Sequence, residues 1–297
     1  MYLFLHKPLL LQPSNQICFL NGQYLPITRA TIPVTDLAVQ RGYGIFDFLR
    51  VVGQQPLYLE DHLDRFFRSA REMRLDKGLQ REEVTEIIFH LIHENRLPYS
   101  GIRMLLTGGI SPDGVQIGEP SFAVIQMALA PPPDTLPTGG YRLVTYPHQR
   151  QLPHIKTIDY LISVWLQPWI REQDADDVLY HQDGRVLELP RSNIFMVTRS
   201  GQLQTPGNGV LQGVTRKQIL ALALKMGIPV AETDITLDAI QHAREVFISS
   251  STKRIIPVVQ LDAIEFGPYT QESMAAKLFA GLQEQEKRLL KDASKAF

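Results

Sequence analysis

The stretch APPPDTLPTGG, residues 130–140, is the feature that most constrains how this chain can fold. Its three consecutive prolines lack backbone N–H groups and fix φ, so neither a helix nor an inner sheet strand can continue through them. Polyproline geometry makes such a stretch a semi-rigid spacer. The 297 residues also exceed a comfortable size for a single core. We therefore predict an N-terminal domain over residues 1–129, a linker over 130–140 and a C-terminal domain over 141–297.

Both predicted domains mix strands with helices, which predicts an α+β fold class. In the N-terminal domain, Asn21-Gly22 and Gly53 interrupt apolar runs with residues that tight hairpin turns favour. Residues 61–75 and 81–97 carry apolar side chains at helical spacing and predict two amphipathic helices.

The C-terminal domain repeats this mixture. Asp183-Gly184 predicts another hairpin. Residues 157–167 predict a helix that stops at Pro168, because proline cannot continue a helix. Residues 214–226 predict a second helix, which Gly227 ends in the position that glycine favours.

Composition excludes several classes of partner. Lys plus Arg number 30 and Asp plus Glu 31, so there is no basic excess for nucleic acid or an anionic membrane. The single Cys18 cannot form an intramolecular disulfide, which favours a reducing, cytoplasmic location. The apolar N-terminal extension, residues 1–17, lacks the basic region of a signal peptide and falls short of the roughly 20 residues of a membrane span. We expect it to pack on the body of the protein or on a partner.

No metal site is predicted. The eight histidines are scattered, and the chain has no zinc-protease helix, no nucleophile elbow and no P-loop. The sequence RGYGIFD has two glycines but lacks the third of a dinucleotide-binding fingerprint.

Four features each have a structural interpretation when taken alone. Lys156, at a strand–helix junction, would be a surface charge. Glu188, in a hairpin, would be a strand residue exposed to solvent. The amides of Val214 and Thr215 would be an ordinary helix start, and the hydroxyls of residues 249–252 a turn. Together they match the needs of pyridoxal 5′-phosphate (PLP). The aldehyde of PLP requires an amine nucleophile, and its pyridine nitrogen requires a carboxylate. Its phosphate requires hydrogen-bond donors, which amides and hydroxyls supply.

The order of these features along the chain resembles a known family. The segments are FLNGQYLP, RGYGIFDFLR, LYLEDHLDRFFRSA, HIKTIDYL, VLELPRSNIFMV, LQGVTRKQIL and EVFISSSTKRIIPV. From about Cys18 to Val259 they are similar to the class IV, or fold-type IV, aminotransferases. This family includes branched-chain and D-amino-acid aminotransferases and 4-amino-4-deoxychorismate lyase. The resemblance implies a two-domain fold of the D-amino-acid aminotransferase type, with PLP in the crevice between the domains, and a homodimer.

The resemblance also implies roles for individual residues. Lys156 would bind the cofactor covalently and act as the catalytic base, and Glu188 would bind the pyridine nitrogen. The remaining cofactor-binding residues would be Arg65, Tyr160, Val214, Thr215, Ser251 and Thr252. Asp159 replaces a common asparagine, and Leu189 and Pro190 replace small residues, so their effect on the substrate is left open.

Substrate binding is predicted at Phe46, Arg50 and Arg103. Branched-chain enzymes use a tyrosine–x–arginine strand to help hold the substrate carboxylate, whereas this chain has Gly101 before Arg103. Enzymes for D-amino acids carry an arginine where this chain has Gly108, which argues against that activity. We expect amino-group transfer between a branched-chain-like amino acid and a 2-oxo acid such as 2-oxoglutarate. A lyase that releases pyruvate from aminodeoxychorismate, a D-amino-acid aminotransferase and a non-catalytic relative remain alternatives.

Overall fold

The computed structural model describes residues 16–137 and 139–293. Most of the predicted N-terminal extension lies outside these residues. The chain divides into two compact units, Met1–Pro131 with Lys156–Asp159, and Pro132–Ile155 with Tyr160–Phe297. The fold is thus a mixed α and β arrangement in two units, as the sequence predicts.

The first unit is built on a six-stranded antiparallel sheet in the order β2-β1-β6-β5-β3-β4. Its elements are β1 (Ile17–Leu20), β2 (Gln23–Pro26), α1 (Leu37–Arg41), β3 (Gly44–Val52), β4 (Gln55–Pro56), α2 (Leu59–Glu72), α3 (Arg81–Asn95), β5 (Tyr99–Thr107) and β6 (Phe122–Ala128). The two predicted hairpins are confirmed: Asn21 and Gly22 have φ of 46° and 84°, and Gly53 has φ of 59°. Only residues that tolerate the left-handed region fit these turns.

One face of this sheet carries the core of the first unit. Alternate residues of β3, among them Ile45 and Leu49, are fully buried, as are Leu63 and Phe66 on α2. Because side chains of a strand alternate between faces, the intervening residues Phe46 and Phe48 belong to the opposite face. The core face packs on α2 and α3.

A short segment of the chain extends this sheet beside β3. The Phe46 amide donates to the Lys156 carbonyl at 3.0 Å, and the Ile158 amide donates to the Gly44 carbonyl at 3.0 Å. Ile45 and Thr157 are bridge partners between these two bonds. Residues 156–159 therefore belong to the first unit, whereas the sequence places them in the C-terminal domain.

The second unit contains a nine-stranded mixed sheet in the order β12-β11-β10-β13-β14-β7-β8-β9, with β15 paired to β14. Its elements are β7 (Tyr141–Pro147), α4 (Leu161–Trp165), α5 (Gln167–Glu172), β8 (Asp177–Gln182), β9 (Arg185–Val186), β10 (Asn193–Val197), β11 (Leu203–Pro206), α6 (Val214–Lys225), β12 (Val230–Thr233), α7 (Leu237–Gln241), β13 (Glu245–Ser250), β14 (Arg254–Leu261), β15 (Ile264–Glu265) and α8 (Met274–Ala293). One core cluster includes the stacked rings of Phe195 and Phe247, whose centroids are 5.0 Å apart.

The helix predicted over residues 157–167 is confirmed only for Leu161–Trp165, and its predicted bounds are wrong. Residues 156–158 are extended and bonded to β3, so the helix begins only at Leu161 and ends at Trp165. Pro168 lies in the first turn of α5. A proline there removes an N–H that has no partner within the helix, so it begins a helix instead of stopping one.

The helix predicted over residues 214–226 is confirmed within a residue as α6, Val214–Lys225, with Gly213 at its N-cap. Gly227 follows the helix with φ of 72°. None of the helices in the described ranges is long and apolar enough to cross a membrane. Within the same ranges, no group of three or more His, Cys, Asp and Glu residues could hold a metal ion.

Candidate active site

Lys156 and Arg103 approach the same aromatic ring in the first unit. The Lys156 Nζ lies 4.5 Å from the centroid of Phe46, and the Arg103 Cζ lies 5.5 Å from it. Both distances fall within the range of attractive cation–π contacts. The two cationic groups are therefore separated by no more than the sum of these distances. The structure brings together three residues that the sequence singles out, an amine nucleophile, an aromatic ring and a guanidinium.

Strand register explains how these side chains meet. Phe48 pairs with Arg103 across β3 and β5, and Phe46 pairs with Leu105. Directly paired residues share a face of the sheet. The segment at Lys156 adds to the free edge of β3 at Phe46, which places the lysine on that same face.

Arg50, the other predicted substrate residue, shares this face but is buried at 5% exposure. Its Nη1 donates to the hydroxyl of Tyr99 at 3.1 Å. Arg50 is four residues from Phe46 along the strand, a separation of roughly 13 Å. This separation is that of the two backbone positions along β3.

Asp47, His62 and Arg65 form a buried cluster on the core face of β3. The Arg65 Nε and Nη2 donate to the two carboxylate oxygens of Asp47, each at 2.8 Å. The His62 Nδ1 lies 2.7 Å from Asp47 Oδ1. These side chains are at most 5% exposed. Such a bidentate pair fixes the plane of the guanidinium, so Asp47 orients the arginine predicted to bind phosphate.

Burial and charge act in opposite directions on this cluster. Burial disfavours the charged form of Asp47, but the Arg65 guanidinium and His62 outweigh it and hold the pKa of that carboxyl well below its ordinary value. Burial lowers the pKa of His62, although the carboxylate of Asp47 opposes this effect. If a neutral His62 donates its Nδ1–H to Asp47, the same nitrogen cannot also accept a hydrogen bond from Arg65. The sequence did not identify His62; its position three residues before Arg65 on a helix was the available signal.

Glu188 lies in the second unit as a buried carboxylate, with its side chain 6% exposed. The Arg150 Nε donates to Glu188 Oε1 at 2.9 Å, and its Nη2 lies 2.8 Å from the same oxygen and donates to the carbonyl of Pro153. The Leu211 amide donates to Glu188 Oε2 at 3.0 Å. The ion pair compensates the buried negative charge. Arg150 was missed from the sequence, where an arginine six positions before the lysine was the available signal.

The start of α6 forms a set of hydrogen-bond donors. Gly213 at its N-cap has no Cβ, and one built there would lie 2.1 Å from the Asn193 Oδ1. Asn193 pairs with Ser249 across β10 and β13, so both side chains lie on the face that meets the helix start. Among the residues that the structure describes, the buried hydroxyl of Ser249 has no hydrogen-bond partner, and neither has that of Ser192.

The other predicted residues of the second unit lie around these features. Val214 is buried and Thr215 half-buried in the first turn of α6. Ser251 and Thr252 occupy the turn that joins β13 to β14, with Ser251 half-buried and Thr252 exposed. Tyr160 is half-buried at the N-cap of α4. Their contacts with a cofactor stay predictions.

Comparison with known proteins places the chain in a family. The sequence model described as Amino-transferase class IV matches residues 44–261. The chain belongs to the class IV aminotransferase family. It is 30% identical over 255 residues to a putative branched-chain-amino-acid aminotransferase of Methanocaldococcus jannaschii, covering 82% of this chain and 87% of that one.

Two further similarities support the same placement. A D-alanine aminotransferase of Staphylococcus haemolyticus is 28% identical over 256 residues, covering 84% of this chain and 90% of that one. The crystal structure of a branched-chain aminotransferase from Thermoproteus uzoniensis with norvaline superposes with a TM-score of 0.81 at 24% identity, covering 92% of this chain and 97% of that one. The fold is thus that of the fold-type IV transaminases, and the chain is a PLP-dependent aminotransferase.

The residues of each unit fit PLP. The unpartnered buried hydroxyls and the amides at the start of α6 suit a phosphate, because a helix N-terminus favours an anion. The buried carboxylate of Glu188 suits a pyridine nitrogen, and the half-buried Lys156 amine suits an aldehyde. When bound, PLP supplies an electron sink for the carbanion formed at the substrate α-carbon.

Proposed function

We propose that this enzyme transfers the amino group between an amino acid with a branched-chain-like side chain and a 2-oxo acid such as 2-oxoglutarate. The observation that carries the proposal is the placement of Lys156 and Arg103 against the one ring of Phe46. A substrate of this class has a carboxylate next to its reacting carbon. A guanidinium on the same ring as the amine can therefore supply the carboxylate partner that the reaction needs.

The proposed roles follow from the chemistry of each side chain. Arg103 binds the substrate carboxylate and so orients the α-carbon towards Lys156. The free Lys156 amine would be the base that takes the proton from that carbon and holds it as an ammonium. Glu188 binds the pyridine nitrogen of the cofactor, and Arg150 keeps the carboxylate in place.

We propose the following donors for the phosphate. In the second unit we propose the amides of Val214 and Thr215 and the hydroxyls of Ser251 and Thr252, with Tyr160 beside the cofactor. In the first unit we propose Arg65.

Two observations favour a branched-chain-like substrate over a D-amino acid. Phe46, Phe48 and Leu105 place apolar side chains on the face that Lys156 shares, and these suit an aliphatic substrate side chain. Gly108 stands where D-amino-acid enzymes carry an arginine. A Cβ at that position would lie 2.8 Å from a Leu37 methyl carbon and 3.0 Å from the Tyr43 ring, so this packing leaves no room for an arginine there.

The test is a half-reaction with single amino acids. The purified enzyme loaded with PLP is mixed with L-leucine, L-valine or D-alanine, and loss of its visible absorption is followed beside release of the 2-oxo acid. We expect conversion with the L-amino acids. Conversion by D-alanine alone, or pyruvate release from aminodeoxychorismate without conversion by L-leucine and L-valine, would refute the proposed substrate.

Variants assign the two cationic residues in the same assay. Lys156→Ala is expected to abolish the covalent, borohydride-reducible link to the cofactor. Arg103→Ala is expected to raise KM for the amino acid, while Arg68→Ala, which removes an exposed arginine on α2, serves as the matched control. Equal KM values for the two arginine variants would remove Arg103 from the carboxylate site.

We further propose that the enzyme works as a cytoplasmic homodimer. The short helix α4 supports the dimer, because Leu161, Val164 and Trp165 share one stripe and are 73%, 68% and 65% exposed. Exposed apolar patches of this kind mark protein interfaces. The buried thiol of Cys18 suits a reducing compartment. Light scattering tests the assembly, and a mass of one chain, 33.7 kDa, would refute the dimer.

A further inference from the structure

Gly101 occupies an unusual position in the middle of β5. A glycine inside a strand weakens the strand and often marks a close approach by another group. Here that group is the ring of Phe48. A Cβ built on Gly101 would lie 2.1 Å from Phe48 Cζ and 2.7 and 2.8 Å from the two Cε atoms. No side chain at residue 101 can coexist with the ring in this position.

The ring of Phe48 is directed onto Gly101 by strand register. Phe48 pairs directly with Arg103, whereas Gly101 pairs with Arg50, so the ring crosses diagonally to a residue of β5 two positions from its own partner. An aromatic side chain can reach such a diagonal neighbour. The ring therefore lies over Gly101, on the face that also carries its strand partner Arg103.

We propose that Phe48 is a specificity-determining residue. Seated on Gly101 beside Arg103, its ring forms an apolar wall that limits the size of the side chain carried by a bound amino acid or 2-oxo acid. The inference rests on the proposed function, since it takes Arg103 as the carboxylate partner. It extends that function by naming the residue that sets an upper size limit, and it favours substrates with aliphatic side chains over those with aromatic ones.

The geometry is tested first by stability. Gly101→Ala should lower the melting temperature of the holoenzyme, because the new methyl group collides with the ring. In a Phe48→Ala background the same change should cost much less. An equal loss in both backgrounds would show that Phe48 does not occupy the space over Gly101 and would overturn the proposal.

The size limit is tested by binding of unreactive monocarboxylates. Calorimetric titration of the PLP-loaded protein with 3-methylbutanoate and with 3-phenylpropanoate gives a ratio of two affinities. Phe48→Ala should shift this ratio towards 3-phenylpropanoate about tenfold or more, since one methylene in an apolar pocket changes discrimination by about 10- to 200-fold. Phe89→Ala, which removes a 39% exposed ring on α3, should leave it unchanged.

Failure of this inference differs from failure of the proposed function. An unchanged ratio in Phe48→Ala, or no saturable binding of either carboxylate to either protein, overturns the role of Phe48. The proposed function fails instead when the wild-type holoenzyme binds these carboxylates but converts neither L-leucine nor L-valine.

Discussion

Replacing Asp47 with asparagine removes a charge that lies between two basic side chains in the interior of the first unit. Asp47 accepts two hydrogen bonds from Arg65 at 2.8 Å and one from His62 at 2.7 Å. Asparagine has nearly the same shape, but it leaves the guanidinium charge without compensation. Because removal of one partner from a buried ion pair costs about 3–5 kcal/mol, we expect Asp47→Asn to reduce the free energy of unfolding of this unit by that amount.

The matched control is Asp64→Asn on the same unit. Asp64 also accepts from an arginine, Arg81, at 2.7 Å, but the two side chains are 61% and 32% exposed. An exposed pair of this kind contributes only about 0–1 kcal/mol. The two substitutions therefore make the same chemical change and differ in burial.

Urea unfolding followed by circular dichroism measures both variants. Circular dichroism is needed because both tryptophans, Trp165 and Trp169, lie in the second unit, so their fluorescence follows that unit. We expect a large decrease of the urea midpoint for Asp47→Asn and almost none for Asp64→Asn. Equal decreases would refute the reasoning that the buried cluster stabilises the first unit.

Three further predictions follow from the same contacts. Arg150→Met leaves the Glu188 carboxylate buried without its cation and should destabilise the second unit by about 3–5 kcal/mol, measured by tryptophan fluorescence in urea; an unchanged midpoint would contradict it. Gly213→Ala should weaken PLP binding in a titration of the apoprotein, because the new Cβ displaces the Asn193 amide beside the helix start; equal affinity would show that this packing is not needed. Stability of the first unit should fall as pH drops below about 6.5, since His62 has a lowered pKa when folded and takes up a proton on unfolding, and His62→Gln should reduce this pH dependence.

Features with a local physical cause could be predicted from the sequence. The hairpins at Asn21-Gly22 and Asp183-Gly184 form because these residues accept the left-handed backbone that the turns require. The end of α6 before Gly227, which has φ of 72°, has the same cause. The order of such segments was also sufficient to recognise the family.

Features that depend on distant pairing could not be predicted. The apparent helical spacing after Lys156 competes with hydrogen bonds to β3, a strand more than 100 residues earlier in the chain. The hydrogen bonds to β3 keep residues 156–158 extended, so the helix begins only at Leu161. The pairing of Asp47 with Arg65 likewise depends on which face of β3 the carboxylate takes and on how α2 packs there. Phe48 escaped notice because its position on Gly101 is fixed by the register of β3 with β5.

The assignment of residues 156–159 to the first unit has a consequence for any attempt to divide this enzyme. A fragment that starts after the proline-rich stretch contains the lysine in its sequence but lacks β3, the strand that holds its backbone in place. A fragment that ends at that stretch contains β3 and Phe46 but no lysine at all. The lysine is thus encoded in one half of the chain and its backbone is held by the other, so we expect neither half to be active when it is expressed alone.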